Sequence, residues 1–220
     1  MEYAATCLPS KKLTTVYLGG GTPTTLNESQ LEALLIKVRK ELDFTHVKEF
    51  TVEAGRPDSI TREKLKILKQ QGVTRISINP QTMKQETLDI IGRKHTVDQI
   101  KEAFSMAREE GHDNINMDII IGLPGECNDD VVDTLKQIDR MNPDSLTVHT
   151  LAIKRAANLN IYKERYEGLQ PKDVSLMLDT CFAYARKSQY KPYYLYRQKN
   201  MAENLEMAKL FKRIGCKGAV

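Results

Sequence analysis

The residues best placed to do chemistry begin with Val16-Tyr17-Leu18-Gly19-Gly20-Gly21-Thr22-Pro23-Thr24-Thr25-Leu26, where a β-branched and aromatic run passes straight into three glycines, a threonine and a proline. This is not a phosphate loop of the G-x-x-x-x-G-K-[ST] kind. Nor is it the dinucleotide fingerprint G-x-G-x-x-G, because Thr24 holds the place of the last glycine. A tight βα turn would account for glycines here. Three in a row also expose backbone N–H and C=O groups with no side chain in the way, so a ligand can approach the chain itself. A carbonyl shelf of that sort suits an ammonium group, and Thr22 adds a hydroxyl.

Further candidates follow at the ends of other apolar runs. Glu53 terminates Phe50-Thr51-Val52-Glu53; it is either a solvated carboxylate, a partner for Arg56, or a ligand-facing acceptor. Gln81, after Asn79-Pro80, reads as turn chemistry or as a polar contact. Arg93 lies in the basic cluster Arg93-Lys94-His95, where a guanidinium would suit a carboxylate. Asp118 is set among Met117, Ile119, Ile120 and Ile121; a carboxylate buried there is costly unless it pairs with a donor or binds something. Gly122-Leu123-Pro124-Gly125 then supplies a second glycine turn. His149 reads first as a satisfied strand histidine. No residue is assigned as catalytic, and no metal-ligand set is apparent.

The elements that must position these residues alternate. Extended runs at residues 14–18, 49–54, 74–79, 114–121, 145–151 and 192–196 are interleaved with helical patterns at 29–42, 61–72, 97–111 and 128–141, whose apolar positions recur at three and four residues. Alternation of this kind predicts parallel strands joined by crossover helices. Asn27 with Gln30 reads as a capping box, Gly72 and Gly111 as helix stops, and Pro143 as the residue beyond a helix ending near Met141. The tail, residues 200–220, reads as a helix. Polar or glycine residues stand at five successive strand ends (Gly19 to Thr22, Glu53, Asn79 with Gln81, Asp118 with Gly122, and His149). A barrel gathers such ends on one rim, whereas a doubly wound sheet concentrates them at one switch point, so the pattern favours a full or partial (β/α) barrel.

Composition narrows the class. With 33 basic and 29 acidic residues among 220, the net charge of +4 is far from a nucleic-acid footprint. No segment approaches the 18 apolar residues of a membrane span, and the N-terminus lacks a signal-type apolar core. The expectation is a soluble, cytoplasmic protein of one domain over residues 1–220, with neither nucleic acid nor membrane as partner. Cys7, Cys127, Cys181 and Cys216 stand singly with no C-x-x-C spacing, so reduced thiols are expected rather than a disulfide framework. A phosphate-binding barrel remains an alternative at this point.

Taken in order, VYLGGGTPTTL, FTVEAGRPDSIT, Gln81, IGRKHT, INMDIIIGLPGE and LTVHTLA resemble the radical S-adenosylmethionine (SAM) proteins of the oxygen-independent coproporphyrinogen III oxidase family. AGRPDSIT and PYYLYRQKNMAENLE look most like the coproporphyrinogen dehydrogenase branch of Gram-positive bacteria. The likeness covers roughly residues 13–206. It implies a partial TIM-like (β/α) barrel of the radical SAM type, binding SAM at its C-terminal rim beside a [4Fe-4S] cluster. It also implies a radical that takes hydrogen from a porphyrinogen propionate on the way to a vinyl group, an electron donor for the cluster, and a place in haem biosynthesis. By the same resemblance Gly20, Gly21 and Thr22 would hold the methionine end of SAM. Glu53 and Asp118 would hold its polar edges, Gln81 and Arg93 would add polar contacts, and Ala152 would offer a backbone contact beside the adenine. Some relatives handle haem without decarboxylating anything, which is the alternative function the resemblance allows.

One departure is plain: the chain has no C-x-x-x-C-x-x-C motif, and Cys7 cannot replace three thiolates. The expectation is therefore a fragment lacking the cluster-binding part, with its first βα unit missing or incomplete, inactive by itself, and prone to non-native oligomers through exposed barrel edges.

Overall fold

The computed structural model describes residues 12–151, 173–196 and 207–212. Five strands run parallel: β1 (Thr15–Leu18), β2 (Glu49–Gly55), β3 (Arg75–Gln81), β4 (Ile115–Ile121) and β5 (Ser145–Thr150). They lie side by side in chain order. Among these five strands of the described residues none reverses that order, so they hold no switch point of the doubly wound kind, and the crossovers wind into a partial TIM-like barrel. Between the strands stand α1 (Glu28–Glu41), α2 (Arg62–Gln70), α3 (Gln85–Ile90), α4 (Val97–Glu109) and α5 (Asn128–Met141). After them come α6 (Val174–Lys187), β6 (Tyr190–Tyr196) and β7 (Met207–Lys212).

The sheet ends differently from a plain βα series. β7 pairs antiparallel with β5, and β6 pairs antiparallel with β7, giving the order β1-β2-β3-β4-β5-β7-β6. The helix expected over the tail is thus overturned at residues 207–212, which form a strand. Lys, Leu, Met and Ala there are good helix formers, but propensity is a weak prior and a neighbouring sheet edge overrides it.

Alternation along the strands gives the sheet two unlike faces. One carries Phe50, Val52, Ile76, Ile78, Met117 and Val148, each at most 1% exposed, and packs against the apolar stripes of the helices, such as Leu31, Leu35 and Val38 of α1. The other carries Glu49, Thr51 and Glu53 from β2, Arg75, Ser77 and Asn79 from β3, Asn116 and Asp118 from β4, and Ser145, Thr147 and His149 from β5. Side-chain bonds running between these residues place them on one concave face.

Local signals behave as read. The Asn27 side chain accepts from the Gln30 N–H while the Gln30 side chain accepts from the Asn27 N–H, and Thr96 and Gln99 make the same capping box on α4. Gly72 and Gly111 adopt positive φ (+75° and +82°) just past α2 and α4.

Candidate functional site

The floor of the concave face is a buried polar lattice. Arg75 donates through Nη2 to Asn116 Oδ1 (3.2 Å) and Ser145 Oγ (2.9 Å), and its Nη1 lies 3.7 Å from Glu49 Oε2. Asn116 passes the connection upward, donating through Nδ2 to Ser77 Oγ (3.0 Å) and Asp118 Oδ1 (2.5 Å). The buried charge is therefore paired and hydrogen-bonded, as its desolvation requires. Above this floor the C-terminal strand ends form the rim.

At the first end, β1 runs into the glycines. Gly20 takes φ +92°, and its N–H donates to Glu53 Oε2 at 3.3 Å. The other Glu53 oxygen accepts from the Tyr17 hydroxyl. Arg56, considered as a partner for Glu53, instead grips Asp58 in a fork (Nε–Oδ1 3.0 Å, Nη2–Oδ2 2.5 Å). A Cβ on Gly19 would fall 2.5 Å from Tyr17 Cε1 and 2.8 Å from the Glu53 carboxyl carbon, so any side chain here would have to displace both. Thr22 precedes a 3-10 turn (Pro23–Thr25), and its carbonyl accepts from the Thr25 N–H (2.9 Å).

Two residues outside the sequence-derived set lock this loop. Buried Thr24 donates to Ala54 O (2.5 Å), and Lys64, only 8% exposed, donates through Nζ to Thr24 O (2.7 Å) and Ser59 O (3.1 Å). The one signal for Lys64 in sequence is its place beside the apolar stripe of α2.

Gln81 closes β3 with φ +70°, the left-handed region that non-glycine residues rarely enter. It is 8% exposed, and its side-chain amide has no hydrogen-bond partner among the described residues. The β3–β4 register slips between Ile78 and Gln81, which re-aims this last residue as strand irregularities next to sites commonly do. Behind it, buried His95 sets Nε2 3.5 Å from Pro80 O, and burial pulls its pKa below the ordinary histidine value. Nearby Arg93 is half-buried; its N–H donates to Leu88 O (2.9 Å), while its guanidinium makes no hydrogen bond or salt bridge among the described residues, and burial, then the neighbouring Arg56, lower its pKa.

Asp118 finds the donor that its setting demanded in Asn116, and its Oδ2 lies 3.7 Å from His149 Nε2. His149 is thus not a bare strand residue. The Gly122–Gly125 turn follows, with Glu126 buried beneath it and accepting from Thr82 Oγ1 (2.6 Å); burial raises the Glu126 pKa above the usual carboxylate range. Register places the ends of β1 through β5 as successive neighbours, so Gly20, Gly21, Thr22, Glu53, Gln81, Asp118 and His149 share one rim, with Arg93 on the loop packed behind it. Ala152 lies outside the described residues.

The rim offers acceptors, an unpartnered amide, a cation and open backbone, which suits a ligand carrying both ammonium and carboxylate. A cluster is another matter. Among the described residues no three His, Cys, Asp or Glu side chains gather to hold a metal, Cys181 is buried on α6 and Cys127 stands exposed before α5, and the four cysteines of the chain are scattered. These residues do not fit a [4Fe-4S] cluster.

No helix among the described residues is long and apolar enough to cross a membrane. Comparison with known proteins places the chain in a family. The oxygen-independent coproporphyrinogen-III oxidase-like protein HemZ of Bacillus subtilis is 46% identical over 196 residues, spanning 89% of this chain and 39% of HemZ. The heme chaperone HemW of the same organism is 37% identical over 143 residues, 64% of this chain and 38% of HemW. Coproporphyrinogen III oxidase (HemN) from Escherichia coli, described as a radical SAM enzyme, superposes with a TM-score of 0.75 at 26% identity over 86% of this chain and 44% of that one. Methylornithine synthase, at 15% identity and a TM-score of 0.61, shares the fold. The chain thus spans about two fifths of the length of the curated relatives it matches. Residues 2–138 match the Radical SAM superfamily, whose cofactors are SAM and a [4Fe-4S] cluster, and with HemZ-like sequence and a HemN-like partial barrel the chain belongs to that superfamily.

Proposed function

We propose that this chain supplies the SAM-holding rim of an oxygen-independent coproporphyrinogen III oxidase-like enzyme, which converts propionate side chains of coproporphyrinogen III to vinyl groups. Each conversion removes carbon dioxide, one hydrogen atom and one electron from a propionate, the electron passing to a one-electron acceptor outside this chain. Bound SAM, with a cluster held outside these residues, would supply the hydrogen abstraction, and the chain's own residues bind, orient and exclude water. The isolated chain holds SAM without turning over, because the thiolates for the cluster are not among its residues. Gly20, Gly21 and Thr22 present backbone and hydroxyl to the methionine end. Glu53 and Asp118 accept from the polar edges, Gln81 and Arg93 add a hydrogen-bonding amide and a carboxylate-pairing cation, and Ala152 contributes backbone beside the adenine. The porphyrinogen and an electron donor to the cluster are the partners.

Gln81 carries this reading. A side chain held in a left-handed backbone, nine-tenths buried and without a protein partner among the described residues, stores strain that the fold alone does not repay, and such strain gathers at ligand sites. Calorimetric titration of the 220-residue chain with SAM tests it: saturable binding that Gln81→Ala and Asp118→Ala each weaken at least tenfold supports the rim, and binding indifferent to both removes it. The HemW relatives favour one second reading, haem handling without decarboxylation. Titration with haem followed at the Soret band decides between them, since a saturable stoichiometric shift belongs to that reading alone.

A further inference from the structure

We propose that Tyr17 is a positioning residue of the rim, fixing the Glu53 carboxylate so that its free lone pairs face the ligand; this rests on the SAM-binding reading above. Tyr17 is a strand residue with 62% of its surface exposed, so its ring is not held by core packing. Its register partner is Thr51, which puts Glu53 diagonally across the same concave face, within reach of a long side chain. The phenol hydroxyl donates to Glu53 Oε1 while the Gly20 N–H donates to Oε2 at 3.3 Å.

A carboxylate offers about four lone-pair sites. One donor on each oxygen leaves one site free on each, and two anchors on opposite oxygens stop rotation about the carboxyl bond. The turn is built around this arrangement, since a Cβ on Gly19 would collide with both partners. Desolvation of the phenol, followed by the Glu53 hydrogen bond and charge, drives the Tyr17 pKa well above its ordinary value, so the hydroxyl remains a donor throughout the working pH range. Tyr17 touches neither end of the chemistry directly. It acts through Glu53.

The test is a double-mutant cycle on the 220-residue chain with SAM as probe, read by calorimetric titration and urea unfolding. Tyr17→Phe is expected to weaken SAM binding about tenfold, the loss typical of one hydrogen bond to a charged acceptor, with the unfolding midpoint unchanged. In a Glu53→Ala background the same substitution is expected to change SAM affinity by less than about twofold, because no acceptor remains for the hydroxyl to position. An unaltered affinity in Tyr17→Phe overturns the proposal, and so does an equal loss in both backgrounds, which would mark a general structural role. If the wild-type chain binds no SAM, the functional reading fails and the positioning claim is decided by a ligand-free crystal structure of Tyr17→Phe. A Glu53 carboxylate that leaves the Gly20 N–H supports it there, and one that stays in place overturns it.

Discussion

Gln81→Gly separates fold from function at a single position. One term favours the variant. Left-handed backbone costs a residue with a Cβ about 1–2 kcal/mol, and that penalty falls on Gln81, at φ +70°. Two terms oppose it. Glycine costs about 0.5–1 kcal/mol through the freedom it gains in the unfolded chain, and the two lost methylenes forfeit about 0.8 kcal/mol each. A gain of about 1–2 kcal/mol against costs of about 2–3 kcal/mol leaves the variant within about 2 kcal/mol of wild type. Removing a comparable buried side chain elsewhere costs about 2–5 kcal/mol. Urea unfolding monitored by circular dichroism reads the difference, and at this chain length 1 kcal/mol corresponds to about 2–4 °C in Tm. SAM affinity, by contrast, is expected to fall about tenfold with the loss of the amide. A destabilisation above about 2 kcal/mol would show that Gln81 serves the fold, and the argument from stored strain would be wrong.

Three further outcomes follow from the geometry. Gly19→Ala places a methyl group 2.5 Å from Tyr17 Cε1 and 2.8 Å from the Glu53 carboxyl carbon, so it should displace both and abolish measurable SAM binding in a calorimetric titration. Glu126 is buried against Thr82, with Lys84 and Asp130 as its charged neighbours, and its folded pKa is raised by burial. Its protonated form is favoured in the fold, so this contribution to stability is present below the ordinary glutamate pKa and is lost as pH rises through the raised one. Glu126→Gln should therefore be more stable than wild type at pH 7, with the difference closing at low pH in parallel urea melts. His112 is buried, donates through Nε2 to Leu65 O (3.0 Å), and is pulled by burial below the ordinary histidine pKa. Its neutral form is favoured in the fold, so stability should fall as pH drops from about 6.5 toward the lowered value; His112→Gln, which can still donate to that carbonyl, should flatten the decline.

Much of the architecture could be read from the chain because periodicity and capping are local. The strands at residues 14–18, 49–54, 114–121 and 145–151 lie within one residue of β1, β2, β4 and β5 at each end, and polar strand ends indicated one rim before any pairing was known. What escaped depends on non-local geometry. β7 is spelled Met-Ala-Lys-Leu-Phe-Lys, a string that propensity leaves helical and only the open edge of β5 makes extended. α3, six residues long, is too short for a 3.6-residue period to show. Gln81 was a candidate, but its left-handed backbone is set by a register slip against β4 that no local pattern shows. Tyr17 passed as an ordinary strand aromatic, since its hydroxyl acquires a partner only once β1 lies beside β2.

The two-faced sheet separates the residues that can vary from those that cannot. Cohesion comes from apolar contact on the helix side, where Val52, Ile76, Ile78 and Met117 are fully buried, and the opposite side is held by hydrogen bonds around Arg75 and Asn116. The lumen therefore needs no apolar plug to hold its shape and can stay wet until a ligand displaces the water. Upper positions such as Glu53, Asp118 and His149 can be exchanged over evolutionary time without emptying the core beneath them. A barrel so divided can acquire new reactions at one end while its folding instructions, written on the other face, remain the same.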